Sequence, residues 1–369
     1  MITRRRPIGH VEPAVDGFTI APRLSHVGTT TTSTAPDRTW LHRAGWISVS
    51  VLVVLFVIQN HSDLPDAWHS ILKADRSWLA VTGAAMVVWL LNISWMHASA
   101  QRAAGLRPRR FELLYPAVAG NALNLVTKSG GMAGLTMFTA QARRRGQSRG
   151  SVIAAYALAQ AVGEVAFALT LMIAFGLIWA DGRLNHAEIA AMSVFVVFLS
   201  ARLGLLVAAV RSRDAIRSLY TWPQRTWASL RRQTPPPTDV SAADDLYDAI
   251  LMVRRHPRRA LAVLAHAVAL EALGIIELWG AAAAVGASTS LLVAFVGYSV
   301  SVMFAIVGFL PGGIGFVEIS LGALLVSYGA SVATATAAVV VYRVAELWLP
   351  LIIGFVTARS LRQANRFSP

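Results

Sequence analysis

The stretch Val307-Gly308-Phe309-Leu310-Pro311-Gly312-Gly313-Ile314-Gly315-Phe316-Val317-Glu318 decides how this chain is read. It interrupts apolar runs long enough to cross a bilayer. Proline removes a backbone donor there, and four glycines within eight residues lower helix propensity. Hydrocarbon cannot satisfy the freed N–H and C=O groups, so such a break is stable only where protein or a water-filled cavity covers it. A carboxylate follows at once. Broken helices beside an ionisable group are how membrane proteins build polar sites at depth. The stretch therefore predicts an integral membrane protein with an interior polar site.

The composition agrees. The 369 residues are 55% hydrophobic and 14% charged, against about 25% charged in a typical soluble domain. Mean hydropathy is +0.55. The formal charge of +14 comes from basic residues in the short stretches between apolar runs. An anionic leaflet accounts for that placement, and nucleic acid is not an expected partner. The absence of cysteine excludes disulfides, thiolate nucleophiles and cysteine-based metal sites. Arg4, Arg5 and Arg6 resemble the start of a signal peptide, but no apolar stretch begins before Ala44. The first run thus reads as an uncleaved anchor.

The fold class expected is all-α: a polytopic transmembrane helix bundle of about eight spans, with re-entrant or broken half-helices at two Gly-Gly breaks. Residues 1–43 read as a disordered basic cytoplasmic tail, being rich in arginine, proline and threonine. The transmembrane domain occupies 44–358, opening with spans at Ala44–Gln59 and Ser77–Ala98. Arg102, Arg107, Arg109 and Arg110 place the next segment inside by the positive-inside rule. Residues 111–142 must leave and return before Arg143, Arg144 and Arg145. About 32 residues centred on Lys128-Ser129-Gly130-Gly131 suit a re-entrant hairpin better than two full spans. A long span follows at Ser151–Ala180, then another ending near Val210. Residues 211–259 form a cytoplasmic insertion. There Ser241 precedes Asp244 at capping-box spacing, and Leu246, Ile250 and Val253 share one helical face, reading as an amphipathic helix on the membrane surface. Apolar runs at 260–286, 291–310, 315–330 and 333–358 close the domain, and Arg359, Arg362 and Arg366 mark a cytoplasmic tail at 359–369.

The halves echo each other. Gly130-Gly131 and Gly312-Gly313 each precede an apolar segment, a short link and a long span with a central acid, Glu164 or Glu346. Paired breaks in an internal duplication point to a midplane substrate site. Arg343 lies about 15 Å from either end of the last span on an ideal helix. Glu346, three residues on, shares its face. Two readings coexist: an internal ion pair, or a guanidinium that holds an anionic headgroup. Glu318 either complements the dipole of the helix it begins or partners Arg343. Lys128 is a phosphate contact from the first break or a snorkelling interfacial lysine.

Glu164 sits at mid-span, where burial perturbs protonation. Glu271 and Glu277 are six residues apart, on different faces. Asn92, Asn121 and Asn124 read as interhelical glue, and His97 and His266 as lone packed histidines. No His/Asp/Glu cluster has metal-ligand spacing, so neither metal nor cofactor is expected. No nucleotide-hydrolysis motif is present.

The segment Leu310-Pro311-Gly312-Gly313-Ile314-Gly315-Phe316-Val317-Glu318, with Gly329, Val341-Tyr342-Arg343, Leu349-Pro350 and Gly354, resembles the carboxy-terminal signature of the lysylphosphatidylglycerol synthase transmembrane-region family. Asn121, Gly130-Gly131 and Arg143-Arg144-Arg145-Gly146-Gln147-Ser148 resemble its central motif. The likeness spans roughly 44–358. Relatives usually carry a proline shortly before the central Gly-Gly, where this chain reads Leu125-Val126-Thr127-Lys128. The resemblance implies a flippase-like protein of the bacterial cytoplasmic membrane with both termini inside, related to the domain that moves aminoacylated phospholipids between leaflets. Full synthases continue into a soluble acyltransferase domain. This chain ends about ten residues after its last span, so lysyl transfer is not carried over.

The expected function is non-enzymatic: binding and translocation of an anionic phospholipid or lipid-linked substrate. Arg343, Glu318, Glu346, Pro311, Gly312, Gly313, Lys128, Gly130, Gly131 and Glu164 are the expected substrate-binding residues. A membrane-embedded transferase with a lipid-linked donor is the first alternative, supported by little beyond Asp181 and Glu188 in an exterior loop. The second is an accessory scaffold for an envelope-synthesis partner, with the 211–259 insertion as its docking surface; the expected partners are the membrane and its anionic lipid, with a homo-oligomer or an envelope-synthesis partner besides.

Overall fold

The computed structural model describes residues 64–109, 111–127, 129, 131–180, 189, 192–193, 195–197, 199–201, 204, 212–218, 221–222, 241–255, 257–287, 289–307 and 310–364. The first span at 44–59, the loop 181–188 and both chain ends lie outside them, as do Lys128 and Gly130. Among the described residues every regular element is helical, consistent with the all-α bundle expected.

The helices are α1 (Leu64–Leu72), α2 (Arg76–Ala103), α3 (Leu114–Thr127), α4 (Met132–Arg144), α5 (Arg149–Ala180), α6 (Ser241–Arg255), α7 (Pro257–Ala284), α8 (Leu291–Val307), α9 (Phe316–Ser327), α10 (Val332–Arg343) and α11 (Leu349–Ala364). α2, α5, α7 and the continuous stretch Val332–Thr357 are long and apolar enough to cross a membrane. α8 and the Pro311–Ser327 segment are shorter apolar pieces. The outer surface supports a bilayer setting. On α5, Val165, Leu169, Met172, Ile173 and Leu177 are exposed at helical spacing, a stripe of the kind that faces lipid.

The central scaffold is the antiparallel pair α2–α7. Asp75 caps α2 by accepting from the Ser77 N–H at 2.7 Å, and its own N–H donates to the Ala284 carbonyl at the far end of α7. Trp78 meets Trp279 edge-on, and Gly280 lets Thr82 approach so closely that a Cβ would lie 2.6 Å from its hydroxyl. Midway, the Asn92 amide donates to the His266 carbonyl at 2.8 Å, and its oxygen lies 2.6 Å from His266 Nδ1. Asn92 is thus the glue expected, but His266 is not a lone histidine; the asparagine holds it. His97 is packed as expected, against Phe138 and Tyr156.

Residues 111–142 hold most of two short helices, α3 and α4, where two half-helices were expected. They pair at Gly120 and Gly134, where a Cβ on Gly120 would come within 3.2 Å of the Gly134 Cα. One cluster of buried apolar residues joins α2–α5 and α7, and a second joins α5 and α7–α10.

The insertion differs from expectation. Leu246 and Ile250 of α6 pack against the first of these clusters rather than lying free on headgroups. The Asp244 carboxylate is taken by Arg217, which donates from Nε and Nη2 at 2.8 and 2.9 Å. That guanidinium's hydrogen bonds hold the Asp244 carboxyl below the usual range. Ser148 donates to Asp245 at 2.6 Å, fastening α6 to the start of α5.

Candidate functional site

The second break is a tight 3-10 turn at Pro311–Gly313. Gly312, Gly313 and Gly315 have φ of 63°, 65° and 86°, a region costly to any residue with a Cβ. At Gly313 there is also no room: a Cβ would lie 2.5 Å from the Ala305 Cα. The glycines therefore let the chain reverse against α8 and restart as α9. Glu318, in the first turn of α9, reaches back so that its Oε2 accepts from the Gly315 N–H at 2.6 Å.

Arg343, at the end of α10, closes this turn. Its Nε donates to Glu318 Oε1 at 2.7 Å, Nη1 to Glu346 Oε2 at 2.9 Å, and Nη2 to the Gly312 carbonyl at 2.8 Å. Both readings offered for Glu318 hold together, since one oxygen serves the helix start and the other the guanidinium. The Arg343 side chain is 1% exposed and Glu318 3%, whereas Glu346 keeps 27%. Two of the three bonds are thus sealed, and the third reaches a partly open surface. A buried charge of this kind is stable only when paired and hydrogen-bonded.

Local backbone helps to present Glu346. The helix widens to a π turn over Val344–Trp348, where the Leu349 N–H donates to the Val344 carbonyl. Pro350 follows, and in a regular helix its ring would press on the carbonyl four residues back, that of Glu346. The wider turn relieves that collision. Such turns recur at functional positions.

The first break is tied differently. Gly131 has φ 92° and begins α4. The Tyr156 hydroxyl of α5 donates to the Gly131 carbonyl at 2.8 Å, as Arg343 does to Gly312. Asn124 bridges the gap, donating to the Tyr156 hydroxyl at 3.0 Å and accepting from the Gly134 N–H at 2.6 Å. The halves therefore echo in structure, with a neutral tyrosine where the second half uses an ion pair. The echo expected from sequence paired Glu164 with Glu346. Glu164 sits half-buried midway along α5, and the bonds of Arg343 run to Glu318, Glu346 and Gly312.

The two breaks meet. Leu125, near the end of α3, packs against buried Ile314 and Leu347. Gly354 of α11 lies against α3, where a Cβ would come 2.4 Å from that of Ala122. Of the sequence-predicted residues, Pro311, Gly312, Gly313, Glu318, Arg343 and Glu346 form one cluster. Gly131 belongs to the first break. Lys128 and Gly130 fall outside the described residues, as do Asp181 and Glu188 of the transferase alternative.

Sequence reasoning missed the buried layer beside this cluster. Tyr298 rests its ring over Gly274 and donates to Glu271 at 3.2 Å. Tyr342 hydrogen-bonds Ser301 and lies within electrostatic reach of Glu346 and Glu277. The rarity of carboxylates in an apolar span was the available signal. No group of acids and histidines among the described residues has metal-binding geometry.

A family model described as the lysylphosphatidylglycerol synthase TM region matches residues 45–354. A comparison with curated proteins found no match.

Proposed function

We propose, from the premise that this chain belongs to the lysylphosphatidylglycerol synthase TM region family, that it binds an anionic phospholipid or lipid-linked substrate at the joined breaks and carries it between leaflets. The family is a membrane domain of lipid-related proteins, and translocation is our reading of what its site does here. The observation that carries it is the asymmetry of Arg343. Glu318 and the Gly312 carbonyl fix the guanidinium in place, while the bond to Glu346 is partly exposed. A lipid phosphate that displaces Glu346 would gain a charge-assisted bond without leaving Arg343 unpaired.

On this reading the chain is a carrier rather than an enzyme, and the breaks supply a path in which backbone groups stay covered. Leaflet exchange of fluorescent anionic and zwitterionic lipids in proteoliposomes tests it, with wild type beside Arg343→Ala at matched reconstitution. Exchange that disappears in the variant supports translocation through this site. No exchange of any lipid by wild type sinks the proposal.

A further inference from the structure

Glu277 is the feature the proposed path does not yet use. It lies on α7, its residue 3% exposed, and its Oε1 has no hydrogen-bond partner. Trp95 Nε1, Gln101 Oε1 and Gln141 Oε1 share that condition among the described residues, but Glu277 alone of these bears an ionisable group. A buried acceptor without a donor is rare and unfavourable, and each instance needs a reason. Among the described residues no donor reaches Glu277 Oε1. Tyr342 shares a hydrogen bond with Ser301, Tyr298 donates to Glu271, and Arg343 is engaged by Glu318, Glu346 and Gly312. The charge that acts on Glu277 is that of Glu346, and it too is acidic. The layer therefore holds acceptors in excess of donors, beside the one arm of Arg343 that is open to exchange.

We infer that Glu277 is a specificity-determining residue that receives a hydrogen-bond donor from the headgroup of the transported lipid. The inference rests on the proposed function and deepens it. Tyr342 adjoins Arg343 in the chain and lies within electrostatic reach of both Glu346 and Glu277, so a headgroup whose phosphate replaces Glu346 on Arg343 would carry its next group toward Glu277. A hydroxyl or an ammonium satisfies Oε1 there; a headgroup without O–H or N–H donors leaves it orphaned. Both sources share one chemistry, a donor aimed at the unpaired Glu277 oxygen.

Two lipid pairs separate them at constant charge. Phosphatidylglycerol against phosphatidylmethanol removes hydroxyl donors, and phosphatidylethanolamine against phosphatidylcholine removes N–H donors. Leaflet exchange of all four is measured with wild type, Glu277→Leu and Glu277→Gln. The expected result is that wild type prefers the donor-bearing member of at least one pair by roughly threefold to tenfold, the scale of one hydrogen bond. Glu277→Leu should retain thermal stability, because no protein bond is lost, and should erase the preference. Glu277→Gln keeps an acceptor and should retain part of it.

Which pair discriminates identifies the donor. Equal exchange within both pairs by wild type overturns the inference while leaving translocation intact, and so does a preference unchanged in Glu277→Leu. Because the wild-type comparison decides by itself, a variant that misfolds does not blunt the test. Absence of all exchange overturns both readings together.

Discussion

Replacing Arg343 with Met should be among the most damaging single changes in the chain, and replacing Glu318 as well should restore much of what is lost. Each single variant strands a charge. Arg343→Met takes the cation from Glu318 at 3% side-chain exposure, and Glu318→Leu removes the sealed partner of a guanidinium at 1%. Breaking a buried pair from one side costs about 3–5 kcal/mol, whereas exchanging both members for apolar groups is often neutral. Two backbone groups still lose partners in the double variant, the Gly312 carbonyl and the Gly315 N–H. At about 1–3 kcal/mol for each stranded buried group, that sets its cost. The singles should sum to about 6–10 kcal/mol, and the double should fall below that sum by about 3 kcal/mol or more. Glu346→Gln should cost about 1 kcal/mol or less, since that partner is part-exposed. Unfolding in mixed micelles, followed by tryptophan fluorescence, measures all four. Additivity of the two singles within about 0.5 kcal/mol would refute the reasoning, because uncoupled sites behave that way.

Gly313→Ala should destabilise by more than the roughly 1–2 kcal/mol of a left-handed alanine, because its Cβ meets backbone at 2.5 Å. Gly329→Ala, at φ 99° with open space, should show only the conformational part in the same assay. Tyr156→Phe strands the Gly131 carbonyl and removes a partner of Asn124, so it should cost about 1–3 kcal/mol and speed hydrogen exchange at the start of α4. Because Arg217 holds the Asp244 carboxyl below its ordinary range, docking of α6 should be steady above about pH 4. It should weaken as pH falls from there through the lowered folded value. Hydrogen exchange of α6 amides, corrected for intrinsic pH dependence, should show this in wild type and not in Arg217→Gln.

The spans were legible because hydropathy over some twenty residues is a strong local signal, and α2, α5 and α7 begin and end near the expected positions. The glycine breaks were legible for a similar reason, since so few residue types tolerate positive φ. Arg343 announced itself through the cost of burying it, and Glu318 was one of few acids able to relieve that cost. Other features depended on contacts that composition does not encode. Tyr156 reads as an ordinary aromatic in an apolar run until α5 brings it to Gly131, 25 residues earlier. The face of α6 is amphipathic whether it meets headgroups or helices, so its docking on α5 required the fold. Glu277 was visible as an acid on a different face from Glu271, but its unsatisfied oxygen is a property of what surrounds it.

The π turn at Val344–Trp348 has a consequence for how the halves communicate. It fits one additional residue into the helix without interrupting it, and each residue turns a helix by about 100°. α11 is therefore set in phase so that Gly354 meets Ala122 on α3 while Arg343, at the end of α10, meets the opposite break. One rigid axle thus touches both hairpins. Twisting the first hairpin against Gly354 would load the turn that carries Glu346, the carboxylate that a phosphate displaces under the proposed function. Deleting a single residue from this turn would leave a sound helix with its gears out of mesh.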